Sequence, residues 1–157
     1  MPGLALAKPA LDIFNSSQNQ PLKGESLSKN YTIRSCADVP DFLGDYPGEM
    51  RMFAEPLGAE QVAFTYRRMP AQTGGKGGYG HRHKTQEEIY FVISGLLQFK
   101  LEDEVIDVEA GNAVRVAPEV VRSVWNEGPA EAELAICSTR VADPRAEGEL
   151  VDDFWPA

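Results

Sequence analysis

Between Met50 and Arg140 apolar and polar positions alternate in runs of roughly five to eight residues, each closed by a turn signal. The run Glu60–Met69 sets Val62, Phe64 and Tyr66 against Ala63, Thr65 and Arg67. Met50–Ala54, Glu88–Ser94, Leu96–Leu101, Val105–Glu109, Ala113–Val116, Val121–Trp125 and Ala132–Arg140 read as further strands. Asp45-Tyr46-Pro47-Gly48, Glu102-Asp103-Glu104 and Glu109-Ala110-Gly111 supply turns, and the glycine-rich run Gly74–Gly80 reads as a loop. No stretch carries the period of a long amphipathic helix. Even spacing of this kind predicts an all-β sandwich or barrel. Within Glu88–Ser94, the most apolar set is Ile89, Phe91 and Ile93, which is expected on the packed face between layers. Glu88 aligns with Tyr90 and Val92 and can point into a partly polar interior.

The ends read differently. Residues 1–30 are rich in Gly, Ser, Asn, Gln, Lys and Pro and predict an irregular arm. Tyr31–Ile33 could form a short strand, and Asp38 can cap a brief helical turn with Phe42 and Leu43 packing inward. Asp143-Pro144 offers a cap with proline just inside a helical turn that stops near Gly148. Phe154 and Trp155 are expected to dock as a tail. The chain therefore divides into an arm (1–30), a β-domain (31–142) and a C-terminal tail (143–157).

Charge narrows the function. Fifteen basic against 24 acidic side chains leave a net −9, the wrong sign for a nucleic-acid groove or a polybasic membrane anchor. No run of eighteen apolar residues and no secretory leader pattern is present, so the expected location is the cytoplasm. Cys36 and Cys137 belong to no paired motif and read as thiols in a reducing compartment. The sequence between Gln61 and Gln86 contains no acid, whereas Arg67, Arg68, Lys76, Arg82 and Lys84 are basic. This stretch makes either a local positive field or a partner for the acidic turn at Glu102–Glu109.

The chain has two histidines, and they lie two positions apart, at His81 and His83. Random placement gives that spacing on the order of one time in a hundred. In a strand, residues i and i+2 point to the same side, so both imidazoles can converge on one ion. Either Glu87, at the strand mouth, or Glu88, facing the interior, can add a carboxylate. Two imidazoles and one carboxylate suit divalent iron, manganese or zinc and leave coordination positions open. The competing reading is an exposed His-Arg-His patch on a glycine loop.

The same residues carry a resemblance. Gly75, five residues, His81-Arg82-His83, four residues, Glu88, six residues and Gly95 together resemble the first motif of the cupin superfamily. The frame of the second motif follows as Gly111, Ala117-Pro118-Glu119, Arg122 and Asn126, with Arg122 where a histidine ligand usually stands. The resemblance implies a small antiparallel jelly-roll β-barrel, a homodimer, and a metal held inside the barrel by His81, His83 and Glu88.

A guanidinium cannot ligate a metal, so Arg122 opens three possibilities. It pairs with Glu88 and closes a metal-free barrel, it holds an anion beside the metal, or it turns outward to an ordinary surface pair. A buried cation beside a divalent metal costs free energy unless an anion lies between them, so a small anionic molecule is the expected partner. Arg122, Tyr90, Tyr66 and Gln98 are the candidate contacts to it. The reaction class (oxygenation, isomerisation or decarboxylation) is left open, as is a non-catalytic ligand-binding role.

Overall fold

The structure is a computed structural model and describes residues 30–157. The expected arm lies, apart from Asn30, outside the described residues. Eleven strands are present among the described residues: β1 (Glu49–Met52), β2 (Val62–Met69), β3 (Thr73–Gly74), β4 (Gly78–His83), β5 (Glu88–Ser94), β6 (Leu96–Leu101), β7 (Glu104–Glu109), β8 (Ala113–Val116), β9 (Arg122–Asn126), β10 (Ala132–Thr139) and β11 (Gly148–Trp155). Two short helices, α1 (Ala54–Leu57) and α2 (Pro144–Glu147), interrupt them. No helix among the described residues is long and apolar enough to cross a membrane.

The strands form two antiparallel sheets. One runs β1-β2-β10-β5-β8 and the other β11-β4-β9-β6-β7, with β3 paired to β9. This is the all-β architecture that the even strand spacing implied, in the jelly-roll form that the resemblance implied. Long-range neighbours β2 and β10 are in register from Ala132↔Met69 to Thr139↔Val62. The core lies between the sheets and contains Met69, Tyr90, Val92, Leu97, Phe99, Val108, Val116, Val124, Ala132 and Leu134. Tyr90 and Phe99 meet edge to face across the layers, with ring centroids 5.4 Å apart.

Five local expectations are corrected. On β5, Ile89, Phe91 and Ile93 are 42–45% exposed on the outer face, whereas Glu88, Tyr90 and Val92 face inward. Both faces of this strand are apolar enough to be buried, so alternation by itself does not choose between them. The inward rank is selected by the contacts of Tyr90 with Phe99 and by the register of Val92 with Leu134. The glycine run is not all loop, because β3 ends at Gly74 and β4 begins at Gly78. A Cβ on Gly75 would sit 1.8 Å from the Ser123 hydroxyl, and one on Gly80 would sit 2.4 Å from the Phe154 ring. These glycines allow close approach rather than mark a break.

The C-terminal segment is a strand, not merely a docked tail. β11 pairs with β4 from Gly148↔His83 to Val151↔Gly80, and Arg82 and Glu149 form an ion pair across that ladder. The turn that precedes it is as expected: Asp143 accepts hydrogen bonds from the backbone N–H groups of Arg145 and Ala146 at 3.0 and 3.2 Å. At the other end, Tyr31–Ile33 is not a strand, the helical turn is a 3-10 turn over Cys36–Asp38, and Phe42 is exposed. Asp41 instead accepts hydrogen bonds from the backbone N–H groups of Leu43 and Met50, which closes that loop. Both cysteines are free thiols.

Side-chain direction on β6 can be read from stability. Phe99→Ala empties a fully buried position and should cost about 3–5 kcal/mol in urea unfolding. Leu96→Ala, three residues away on the exposed face, should cost less than about 1 kcal/mol. Equal costs would contradict the inward assignment of Phe99.

Candidate metal centre

His81 and His83 leave β4 on the same side, as strand geometry requires, with ring centroids 5.2 Å apart and planes nearly perpendicular. β5 runs beside β10 and β8 in the opposite sheet and sends Glu88 in to meet them. One ligand atom from each of His81, His83 and Glu88 lies within 4.8 Å of the other two. Glu88 Oε2 is 3.5 Å from His83 Nε2 and 3.9 Å from His81 Nε2. Glu87 faces the other way and pairs with Arg115 on the surface. The structure therefore selects Glu88 from the two carboxylates that spacing left open.

Arg122 points inward. It is the cross-strand partner of His81 and is fully buried. Its Nε and Nη2 donate to Glu88 Oε2 at 3.1 and 3.0 Å, and its Nη1 donates to the carbonyls of Pro118 and Val120 at 3.0 and 2.9 Å. Tyr90 donates its hydroxyl hydrogen to the same Oε2. Burial by itself would raise the Glu88 pKa, but contacts from His81, His83 and Tyr90 and the charge of Arg122 hold it well below the usual carboxylate range. At 3.5 Å and beyond the imidazoles are weak partners, so Tyr90 and Arg122 carry most of that effect. Burial and the adjacent Glu88 charge push the Tyr90 phenol above its ordinary pKa, so it remains a donor.

The donor set fits a metal. Both ring nitrogens of His83 are buried without a hydrogen-bond partner, an arrangement that costs free energy unless something else engages them. All the contacts to Glu88 described above end on Oε2, and Oε1 takes none of them. A neutral imidazole pair with one ionised carboxylate is a recognised three-ligand set for iron, manganese or zinc. Arg122, which stands where the resembling motif usually has a histidine, anchors the carboxylate instead.

The other residues expected at the site divide. Tyr90 and Arg122 are brought to it. Tyr66 lies on the outer face of its sheet, where burial and the neighbouring Glu133 raise its pKa. Gln98 alternates with the buried Leu97 and Phe99 and bonds Asp107 on the outer face of the other sheet. Most of the basic stretch is committed elsewhere, with Arg68 paired to Glu49 and Glu131, Lys76 to Glu127 and Arg82 to Glu149. None of these partners belongs to the turn Glu102–Glu109.

Two contributors escaped the sequence pattern. Glu147 accepts hydrogen bonds from the backbone N–H groups of Thr85 and Gln86 and from the Thr85 hydroxyl, and so holds the turn between His83 and Glu88 from more than sixty residues away. No local signal marks it. Arg67 is the second. It shares the inward face of β2 with Met69, and its Nε is buried without a partner. A period-two reading that ended on Met69 would have placed it there.

Comparison with known proteins agrees with this fold. Residues 68–138 match the family described as Cupin domain. A cupin protein from Bacteroides fragilis superposes with a TM-score of 0.59 at 22% identity, covering 73% of this chain and 88% of that one. A sugar phosphate isomerase of the cupin superfamily from Silicibacter pomeroyi gives 0.62 at 14% identity, covering 80% and 96%. An uncharacterised protein of Methanocaldococcus jannaschii is 29% identical over 58 residues, 37% of this chain, and the match spans 46% of that relative's length. The chain is thus similar to the cupin family over residues 68–138 and shares its fold with solved cupin structures.

The Glu88–Arg122 pair makes a test of the site's construction. Arg122→Ala leaves a buried carboxylate without its cation and should destabilise the fold by about 3–5 kcal/mol. Removing the exposed partner of Glu87 by Arg115→Ala should cost at most about 1 kcal/mol. Denaturation of both variants without added metal measures the difference. A small loss for Arg122→Ala would mean that Glu88 is not held by that pair.

Proposed function

We propose that this cupin-like barrel binds a divalent metal through His81, His83 and Glu88 and takes a small anionic molecule beside it. The observation that carries the reading is the pair of buried, unpartnered ring nitrogens on His83 next to a carboxylate held ionised. A bound divalent ion would act as a Lewis acid toward an oxygen of the ligand. The chain's own residues do the rest: Arg122 and Tyr90 fix Glu88, and the carbonyl of Pro118 ties the His83 backbone N–H and Arg122 Nη1 together. A divalent cation, one carboxylate and one buried guanidinium leave two positive charges uncompensated, which favours an anionic ligand over a neutral one. Oxygenation, isomerisation, decarboxylation and simple binding all use such a centre. The sugar phosphate isomerase from Silicibacter pomeroyi is similar in fold alone.

A second reading has its own observation. The Glu88–Arg122 pair is formed, and a barrel closed by that pair needs no metal. Metal analysis separates the two. Protein purified without added metal should carry close to one equivalent of iron, manganese or zinc, and His81→Ala/His83→Ala should lose it. Absence of any metal uptake near neutral pH, including after incubation with these ions, would leave the closed barrel. Arg122→His should tighten metal binding at least tenfold if Arg122 replaces a ligand.

We further propose a homodimer formed through the outer face of the five-stranded sheet, in a reducing, cytoplasmic setting. Val62, Phe64, Ile89, Phe91 and Ile93 are exposed there on strands bridged by β10, and the ion pairs Arg115–Glu87 and Glu49–Arg68 lie toward its edges. An uncharged centre with a charged rim is the composition of an interface between like copies. Light scattering should give twice the chain mass for the wild type and a smaller mass for Phe91→Lys. A wild-type monomer would refute the dimer.

A further inference from the structure

Arg67 is a half-buried cation whose Nε is fully buried, and it has no counter-charge among the described residues. β2 and β10 align Arg67 with Leu134, and β10 aligns Leu134 with Val92 on β5, so all three share one inward rank. Leu134 and Val92 are fully buried. The next rank along the strands holds Thr65, Ile136 and Tyr90, and the one beyond it holds Ala63, Ser138 and Glu88. Arg67 thus stands four residues along from the metal-ligand rank, about 13 Å of strand, on the wall that the histidine-bearing sheet faces.

The surroundings of Arg67 are phenolic. The groups that act on its charge are Tyr46, Tyr79 and Tyr90, with no carboxylate among them, and burial lowers its pKa. Tyr79 lies on β4 two residues before His81, on the side from which both imidazoles project. Tyr90 is the residue that bonds Glu88. Arg67 Nε has no partner among the described residues. Arg122 behaves in the opposite way: its guanidinium is fully occupied by Glu88 and two backbone carbonyls. Of these two inward arginines, the one that spacing singled out for the anion is spent on the fold, and the other has donors to spare.

We infer that Arg67 is the anion-binding residue of the barrel, receiving a carboxylate or phosphate group of a small molecule whose other end reaches the His81/His83/Glu88 centre. This rests on the reading that the interior takes a small anion. A guanidinium offers a planar fork of N–H donors that matches an oxyanion, and a desolvated arginine without a counter-ion is compensated only when such a group arrives. Selectivity would then follow from two anchors at a fixed separation, which favours molecules with an oxyanion at one end and a metal-binding oxygen at the other.

The test uses the full chain, metal-free and manganese-loaded, with inorganic phosphate and malonate as separate probes. Each is titrated by calorimetry and by thermal shift against wild type, Arg67→Met and Arg67→Lys. Wild type should bind at least one of the probes, and the preferred probe tells phosphate from carboxylate. Arg67→Met should weaken that binding at least tenfold, Arg67→Lys should restore part of it, and metal content should stay the same in all three. Arg67→Met should also melt above wild type without anion, because an unpaired buried charge is gone, and that readout guards against a merely misfolded variant. Binding that is unchanged in Arg67→Met, or absent from wild type in both metal states, overturns the inference. Failure of the metal reading shows separately, as anion binding lost in Arg67→Met by a protein that takes up no manganese.

Discussion

A carboxylate buried between two β-sheets is tolerable only if something holds it, and the rest of this barrel is arranged around that requirement. Glu88 takes two guanidinium N–H groups from Arg122 and the Tyr90 hydroxyl on one oxygen. Arg122 is itself fixed by the carbonyls of Pro118 and Val120, so the pair cannot slide without breaking a backbone turn. Tyr90 is at once a ligand of Glu88 and, through Phe99, a member of the core. The polar centre and the apolar packing are therefore one cooperative unit, and a change in either reaches the other.

This arrangement bears on chemistry. A desolvated arginine in a ligand position would ordinarily repel a metal. Here its charge is largely spent on the carboxylate, which leaves His83 facing the interior with both ring nitrogens unpartnered. The same economy explains why the positive stretch of the chain does not form a general basic mouth. Arg68, Lys76 and Arg82 each meet a surface acid, and Arg67 alone of the arginines in that stretch turns inward without one. A net −9 protein can therefore present a positive interior, because its surplus acids lie outside.

The relative positions of site residues depend on distant segments. Glu147, in the turn before β11, holds Thr85 and Gln86, while β11 covers the edge of β4 that carries both histidines. The last strand is thus part of the site's framework, although its sequence reads only as a tail with two aromatic residues. Close approach by Phe154 and Ser123 also explains why Gly80 and Gly75 stand where they do. Side-chain volume at those points would separate the strands that position the imidazoles.

What the amino-acid sequence determines by itself is whatever depends on local period and spacing. Alternation in runs of strand length dictates an all-β architecture, and a two-residue step between histidines in a strand places both imidazoles on one side. The spacing to Glu88 and the frame around Arg122 locate the centre within the chain. Which face of a strand is buried, however, is a property of its partners. Ile89, Phe91 and Ile93 are as apolar as any core rank, yet the register of β5 with β10 and the contact of Tyr90 with Phe99 turn them outward. The same holds for Tyr66 and Gln98, which sit on outer faces, and for Arg67, which sits on an inner one. A period of two carries no sign, and only the packing of one sheet against the other supplies it.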